Sequence, residues 1–451
     1  MVSTIIIGGG ITGLVSAYRS FRRGEAVTLI EPNQLGGLVQ TLYKDGFTLE
    51  QGPNVLVEKD DLLELLSDLK LTQNIVRSKF DRYRQLVWFK GCSRRVPRSL
   101  FQLLFTRLIS CGDKCKIIRN IFAREIGITT SNDETIQDLF SRIFGEAAVK
   151  NILDPALQGI FGGDVLRLSA RSIFPDLWRS LQAGSSIWEF GRGRKKRAIF
   201  VLRGGMHSLV RTLSEELDGK IQIINDNVVT VRSSGPNNFE VETTGGARFS
   251  SERVVVTTSG FASAEFIKPL DDRLAGALSE VRYAPLVVVH VSVPESAPQP
   301  RRAFGVLFPS KQGLSLLGVM FNSILFPHVA PRGKHLLTVC LGGIHVPNIC
   351  EQTDLAICEK VKVELETKFF QKDMEILAVQ RWPRAIPQYE IGHFELEKLM
   401  SECEGSFPGL TLCGADRGGI GVPDRVKMAC AGSSLNLEAA VGSAAVSRLN
   451  D

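Results

Sequence analysis

The apolar positions of this chain change period several times, and the first change falls within thirty residues. Ser3-Thr4-Ile5-Ile6-Ile7 is an unbroken β-branched run, the pattern of a strand buried on both faces. Gly8-Gly9-Gly10 closes it, and Leu14 to Arg23 then reads as a helix stopped by Gly24. Ala26-Val27-Thr28-Leu29-Ile30 is a second buried strand, ending on Glu31. Further on, Asp60 to Leu69 and Glu134 to Ile152 carry helical periodicity, whereas Arg82 to Phe89 and Ile221 to Val231 read as strands. Val254-Val255-Val256, Val287 to Val293 and Leu410-Thr411-Leu412 are short apolar runs of the kind found in sheet interiors. Ser99 to Ile109 is different, because apolar side chains nearly surround the predicted helix while arginines stand at its ends. Lys114 to Arg124 continues it with a stripe of Ile117, Ile118, Ile121 and Phe122.

The opening strand, helix and strand form a βαβ unit with G-x-G-x-x-G at its first turn, and each part has a mechanical reason. Gly8 permits the tight turn, Gly10 lets the backbone approach a pyrophosphate, and Gly13 lets the helix sit close to the sheet. Ile11 and Thr12 open the helix, whose unpaired N–H groups face the phosphates. Glu31 is placed to accept hydrogen bonds from an adenosine ribose diol and to repel a 2′-phosphate. Past Glu31 no further βα unit follows. Leu35-Gly36-Gly37-Leu38 and Glu50-Gln51-Gly52-Pro53-Asn54 make glycine-punctuated loops instead, which suggests a cofactor extended beyond its adenine half.

Composition narrows the class. At 451 residues, two or three domains are expected, and 44% hydrophobic with 23% charged residues describes a folded protein. The formal charge of +6 is uneven: between Arg94 and Arg124 eight Lys or Arg face the single Asp113. That segment, 94–124, has the character of an amphipathic stretch dipping into a lipid interface, with basic residues reaching headgroups. No nucleic-acid-binding module frames the charge, so nucleic acid is disfavoured. Nine scattered cysteines without C-x-x-C imply neither a disulfide framework nor a zinc site, and a reducing compartment follows. No cleavable signal precedes the glycine motif, and no run of apolar residues is long enough to span a bilayer.

The order G-G-G-x-x-G-L, Glu31, L-G-G and E-x-G-P resembles the two-dinucleotide-binding pattern of FAD-dependent amine oxidases, phytoene desaturases and protoporphyrinogen oxidases. The middle of the chain is similar to the protoporphyrinogen oxidase family in particular. Gln158-Gly159-Ile160-Phe161-Gly162-Gly163-Asp164, Leu168-Ser169, Phe174-Pro175, Phe304-Gly305-Val306-Leu307-Phe308-Pro309-Ser310, Leu317 to Ser323 and Ala385-Ile386-Pro387-Gln388-Tyr389 with Gly392-His393 follow its series in order. The resemblance covers nearly the whole chain.

It implies an α/β fold with a discontinuous Rossmann-like FAD-binding domain (1–80, 204–262 and 406–451). A mixed-sheet α+β substrate domain (156–203 and 263–405) and a mainly helical membrane-associating subdomain (81–155) complete it. The cofactor would be FAD, touched by Gly8, Gly10, Ile11, Thr12, Gly13, Glu31, Gly36, Gly37, Gly52, Pro53 and Asn54, by the backbone of Val228, by Asp416 and by Gly421, Val422 and Pro423. A helix starting there would stabilise negative charge on the reduced ring. Asn54 would also face substrate, an arginine of the Arg82/Arg84 strand, Arg84 in the first instance, would grip a propionate, and Phe161, Phe304, Leu307, Met320 and Phe321 would supply apolar walls. Two features depart from the family. Leu38 stands where a charged residue often follows the second glycine pair, and Arg425 to Gly432 is longer by about three residues.

The chemistry implied is oxidation of protoporphyrinogen IX to protoporphyrin IX, by hydride transfer to flavin N5 in three two-electron steps with reoxidation by oxygen. Coproporphyrinogen III is the alternative substrate, and a non-catalytic FAD- or porphyrin-binding flavoprotein the alternative from another class. Amine oxidases need an aromatic cage at the flavin, yet Gly414 to Asp451 contains no Phe, Tyr or Trp. His393 reads as a satisfied structural histidine rather than a base. The resemblance further implies a protein on the cytoplasmic face of the cell membrane or, alternatively, at the mitochondrial inner membrane. A homodimer and a downstream ferrochelatase are the expected protein partners, and no metal is expected.

Overall fold

A computed structural model of the chain describes residues 2–78, 84–97, 99–123, 133–192, 197–298, 303–310, 315–369 and 372–432. The strands predicted at its start lie at the middle of a five-stranded parallel sheet. Its order is Gln222–Ile224, Ala26–Ile30, Ser3–Ile7, Arg253–Val256 and Leu410–Leu412. Ser3–Ile7 is central because both of its faces are apolar, and Ile6 is fully buried. The helix Ile11–Arg22 lays Leu14, Val15, Ala17 and Tyr18 into a core shared with His207–Leu217 and Val422–Gly432. Neighbouring strands of one sheet are thus drawn from four distant stretches of chain.

One predicted strand is two. Ile221 to Val231 breaks at Asp226, whose carboxylate accepts from the N–H groups of Asn227 (2.7 Å) and Gly245 (2.9 Å) and so turns the backbone. Gln222–Ile224 stays in the parallel sheet, while Val228–Gly235 joins a separate three-stranded antiparallel sheet. Val228 therefore sits just past the turn, at the start of that second sheet.

The second large layer is a mixed seven-stranded sheet. Its order is Glu375–Pro387, Tyr283–Pro294, Lys334–Gly342, Leu316–Met320, Ala303–Leu307, Arg84–Phe89 and Cys92–Arg95. One face carries Val287, Val289, Val291, Val306, Val319, Val339 and Leu341, packed on Ile357, Val361 and Leu365 of the helix Asp354–Phe369. Each such fully buried branched side chain contributes roughly 1.5–3 kcal/mol. The opposite face is mixed in polarity and turns toward the glycine loops, where the Trp382 indole N–H donates to the Gln51 carbonyl at 2.7 Å.

The basic segment is broken as well. The expected Ser99 to Ile109 helix ends early, as Leu100–Phe105, and a new helix, Cys111–Phe122, starts under a Ser110 cap that accepts from the Asp113 N–H. Likewise Glu134 to Ile152 is divided. The helix Ile136–Phe144 stops at Gly145, whose φ of 85° suits glycine, and a π turn at Val149–Leu153 leads into Asp154–Phe161. Among the described residues no helix is long and apolar enough to cross a membrane, and none of the nine cysteines is in a disulfide.

Candidate cofactor and substrate site

Around the first turn the glycines do different work. A Cβ on Gly13 would lie 1.8 Å from the Gly8 carbonyl oxygen, so the helix reaches the strand only because that atom is missing. A Cβ on Gly10 would meet nothing within 4 Å, and this emptiness lies at the helix N-terminus. The second glycine pair closes against the same spot: the Gly36 N–H donates to the Gly9 carbonyl at 2.8 Å, and an added Gly37 Cβ would stand 3.4 Å from the Gly10 Cα. Glu31 accepts from the N–H groups of Gly9 (2.6 Å) and Asn33 (2.9 Å), which fixes its carboxylate at the tip of the second strand. Gly52 is packed so tightly that its Cβ would fall 2.0 Å from the Leu38 carbonyl oxygen. All three glycine loops therefore form one continuous wall.

The last loop, between the strand Leu410–Leu412 and the helix Val422–Gly432, is braced from the substrate side. The Tyr389 hydroxyl donates to the Ala415 carbonyl (2.6 Å) and accepts from the Gly419 N–H (3.2 Å). His393 stacks on the Tyr389 ring at 4.1 Å, and its Nε2–H donates to the Asp416 carbonyl at 2.7 Å. Burial pushes the His393 pKa down to about 4, so the ring is neutral and structural, as its sequence context indicates. Arg425 is buried and donates to the carbonyls of Cys413, Gly414 and Arg417, holding the loop from behind. The Asp416 side chain does not face an open cradle. Its carboxylate is buried and accepts from the Gly260 N–H and the Tyr283 hydroxyl, and burial raises the pKa of both acids. Its expected cofactor contact is thus limited to its backbone. Gly421 caps the helix start and Asp424 bonds back to the Gly421 N–H at 3.3 Å, while Val422 and Pro423 are buried in its first turn.

The predicted substrate residues separate into two sets. Asn54 meets the large sheet directly, because Asn322 Nδ2 donates to Asn54 Oδ1 at 3.2 Å and approaches Met320 Sδ at 3.5 Å. Leu307 lies on the same side, touching the space beside Gly159 and Gly318, and the Phe161 ring stands 6.3 Å from Tyr389. Phe304 packs at the junction with Phe47, Leu49 and Phe326. Phe321 is on the wrong side. It is buried among Trp88, Phe308 and Phe369, its ring 6.2 Å from the last, because residues one apart on a strand end face opposite ways. Arg84 is displaced for the same reason. Leu86 and Trp88 point into the helix-covered core, so Arg84 shares their face, whereas Gln85 is paired with Gly305 on the Leu307 side. Arg94 is a cation on that side, facing Val87 from the Cys92–Arg95 edge strand. Arg82 lies outside the described residues.

A family model described as flavin containing amine oxidoreductase matches residues 11–424. The chain belongs to this family. It is 29% identical over 451 residues to protoporphyrinogen oxidase 1, chloroplastic, of Arabidopsis thaliana, covering 91% of this chain and 83% of that one. It is 26% identical over 449 residues to coproporphyrinogen III oxidase of Bacillus subtilis (strain 168), covering 93% and 94%. In fold it is similar to a solved structure from Exiguobacterium sp. 255-15, with a TM-score of 0.80 at 22% identity over 97% of this chain and 99% of that one. It is likewise similar to reduced UDP-galactopyranose mutase, with a TM-score of 0.72 at 16% identity over 98% of each.

The residues of this flavin oxidoreductase fit an FAD. The open side of Gly10 and the helix N-terminus beside it would receive a pyrophosphate, and the acid at Glu31 an adenosine ribose. Sequence reasoning missed Asn322, Arg425 and the bracing by Tyr389. Each carries only a residue-type signal, and each gains meaning from a partner at least eight residues away.

Proposed function

We propose that this flavin oxidoreductase oxidises a porphyrinogen, protoporphyrinogen IX in the first instance, to the corresponding porphyrin. The observation that carries the reading is the junction of Asn54 with Asn322 and Met320. There the turn ending the cofactor loops touches the sheet side that bears Leu307, so a bound ring system would lie beside this contact, bordered by both. Support comes also from the relatives named for protoporphyrinogen and coproporphyrinogen III oxidation, which align over nearly all of this chain. The bound flavin supplies a hydride acceptor. The chain's own residues hold the macrocycle flat against that acceptor, exclude water with Leu307, Met320 and Phe161, and fix the three cofactor loops relative to one another. Among the described residues no cluster of metal-ligating side chains exists. Membrane association through 94–124 belongs to the same proposal, supported by exposed aromatic residues in that segment.

The test is anaerobic mixing of the yellow protein with protoporphyrinogen IX, which is expected to bleach the flavin absorbance. Faster bleaching by coproporphyrinogen III would transfer the reading to that substrate. Flavin that stays oxidised with both would make the protein a binder rather than an oxidase.

A further inference from the structure

Asn322 is 7% exposed, and its Oδ1 has no hydrogen-bond partner among the described residues. The orientation of that amide is dictated from a distance. The Gly52 carbonyl can only accept, so the Asn54 amide must turn Nδ2 toward it, at 3.1 Å. Asn54 Oδ1 then faces Asn322, which must answer with its own Nδ2, at 3.2 Å. What is left over is the Asn322 oxygen. The residue itself is firmly seated, because its neighbour Ser323 accepts from the Leu336 N–H at 2.9 Å and lies 3.1 Å from His335 Nδ1.

A buried acceptor without a donor costs stability, and an apolar side chain of similar shape would remove the cost. Asn322 therefore gains nothing for the fold from its oxygen. We propose that Asn322 is a positioning residue for the oxidation: its Nδ2 locks the Asn54 amide in place, so that Asn54 presents a fixed polar edge beside the substrate. The inference rests on the porphyrinogen reading and adds to it the contact that fixes Asn54 for the ring system.

The experiment uses full-length, FAD-loaded Asn322→Leu and Asn322→Ser, the second keeping the question open should the larger side chain disturb folding. FAD retention on gel filtration is expected to equal that of wild type, and the melting temperature of Asn322→Leu to stay within a few degrees of it, since the unpaired oxygen and the bond to Asn54 are lost together. Anaerobic flavin reduction at saturating protoporphyrinogen is expected to slow on the order of tenfold, the size of one lost hydrogen bond. Combined with Asn54→Ala, the double variant should be no slower than the slower single variant, because one unit has been broken twice. Reduction at the wild-type rate in both variants overturns the proposal, as does simple multiplication of the two losses or a loss of FAD from both variants. A wild-type protein that protoporphyrinogen fails to reduce overturns the substrate reading, and this inference with it.

Discussion

Two glycines three positions apart separate the cost of folding from the cost of binding. Gly10 has an ordinary φ of −66° and open space where a methyl would go, so Gly10→Ala should melt within a few degrees of wild type and yet lose its flavin. Gly13→Ala should lose both, since the new carbon would collide with the Gly8 carbonyl and the Thr257 hydroxyl. Thermal melts paired with flavin absorbance after gel filtration check this, and a Gly10→Ala protein that retains FAD like wild type would refute the placement. These positions were legible in the sequence because the steric rule behind them is local. Phe321 and Arg84 were not, because the face each takes is set by strand partners that lie far off in sequence. Glu50 was visible as part of a motif, but its job, accepting from the Thr41 hydroxyl (2.7 Å) and the Met206 N–H (2.9 Å), depends on a helix more than 150 residues later.

At the scale of elements, the basic apolar segment was readable in composition and misread in length. Thr106 to Ser110 interrupts it, because Ser110 bonds the next helix start rather than continuing the first. The break makes two short helices that leave Phe101 and Phe105 each 72% exposed, their rings 5.0 Å apart. Phe122 is exposed on the second helix and pairs with Trp188 of Ile187–Gly191 at 5.3 Å, a residue that the segment reading did not include. The Phe101–Phe105 pair, with Lys114 donating to the Leu104 carbonyl at 2.9 Å, fits an anionic lipid surface. Phe101→Ser with Phe105→Ser is expected to abolish co-sedimentation with anionic vesicles while flavin reduction in solution is unchanged. Undiminished sedimentation of that variant would assign the aromatic pair to something other than lipid.

For the whole molecule, three buried titratable groups set opposing trends with pH. His290 and His393 are pushed down to about 4 by burial, so the stability that they contribute is present above their ordinary 6.5 and is lost as pH falls toward 4. Burial pushes Glu50 up to about 7 from 4.5, so its contribution is present below 4.5 and is lost as pH rises through 7. Glu50→Gln, which removes the charge, should therefore stabilise the protein relative to wild type at pH 8 more than at pH 5, by up to about 3 kcal/mol. Melting temperatures of both proteins at the two pH values decide it, and a difference independent of pH would mean that Glu50 is not held near 7.

The first strand of the parallel sheet is made by Ser3–Ile7, and its far edge by Leu410–Leu412. A nascent chain must therefore leave Ser3–Ile7 without one neighbour until Arg253–Val256 is made, and Arg253–Val256 without its own until Leu410–Leu412 follows. An unpaired strand edge is thus open first along Ser3–Ile7, for the longer interval, and then along Arg253–Val256, and each is a surface for a chaperone to cover.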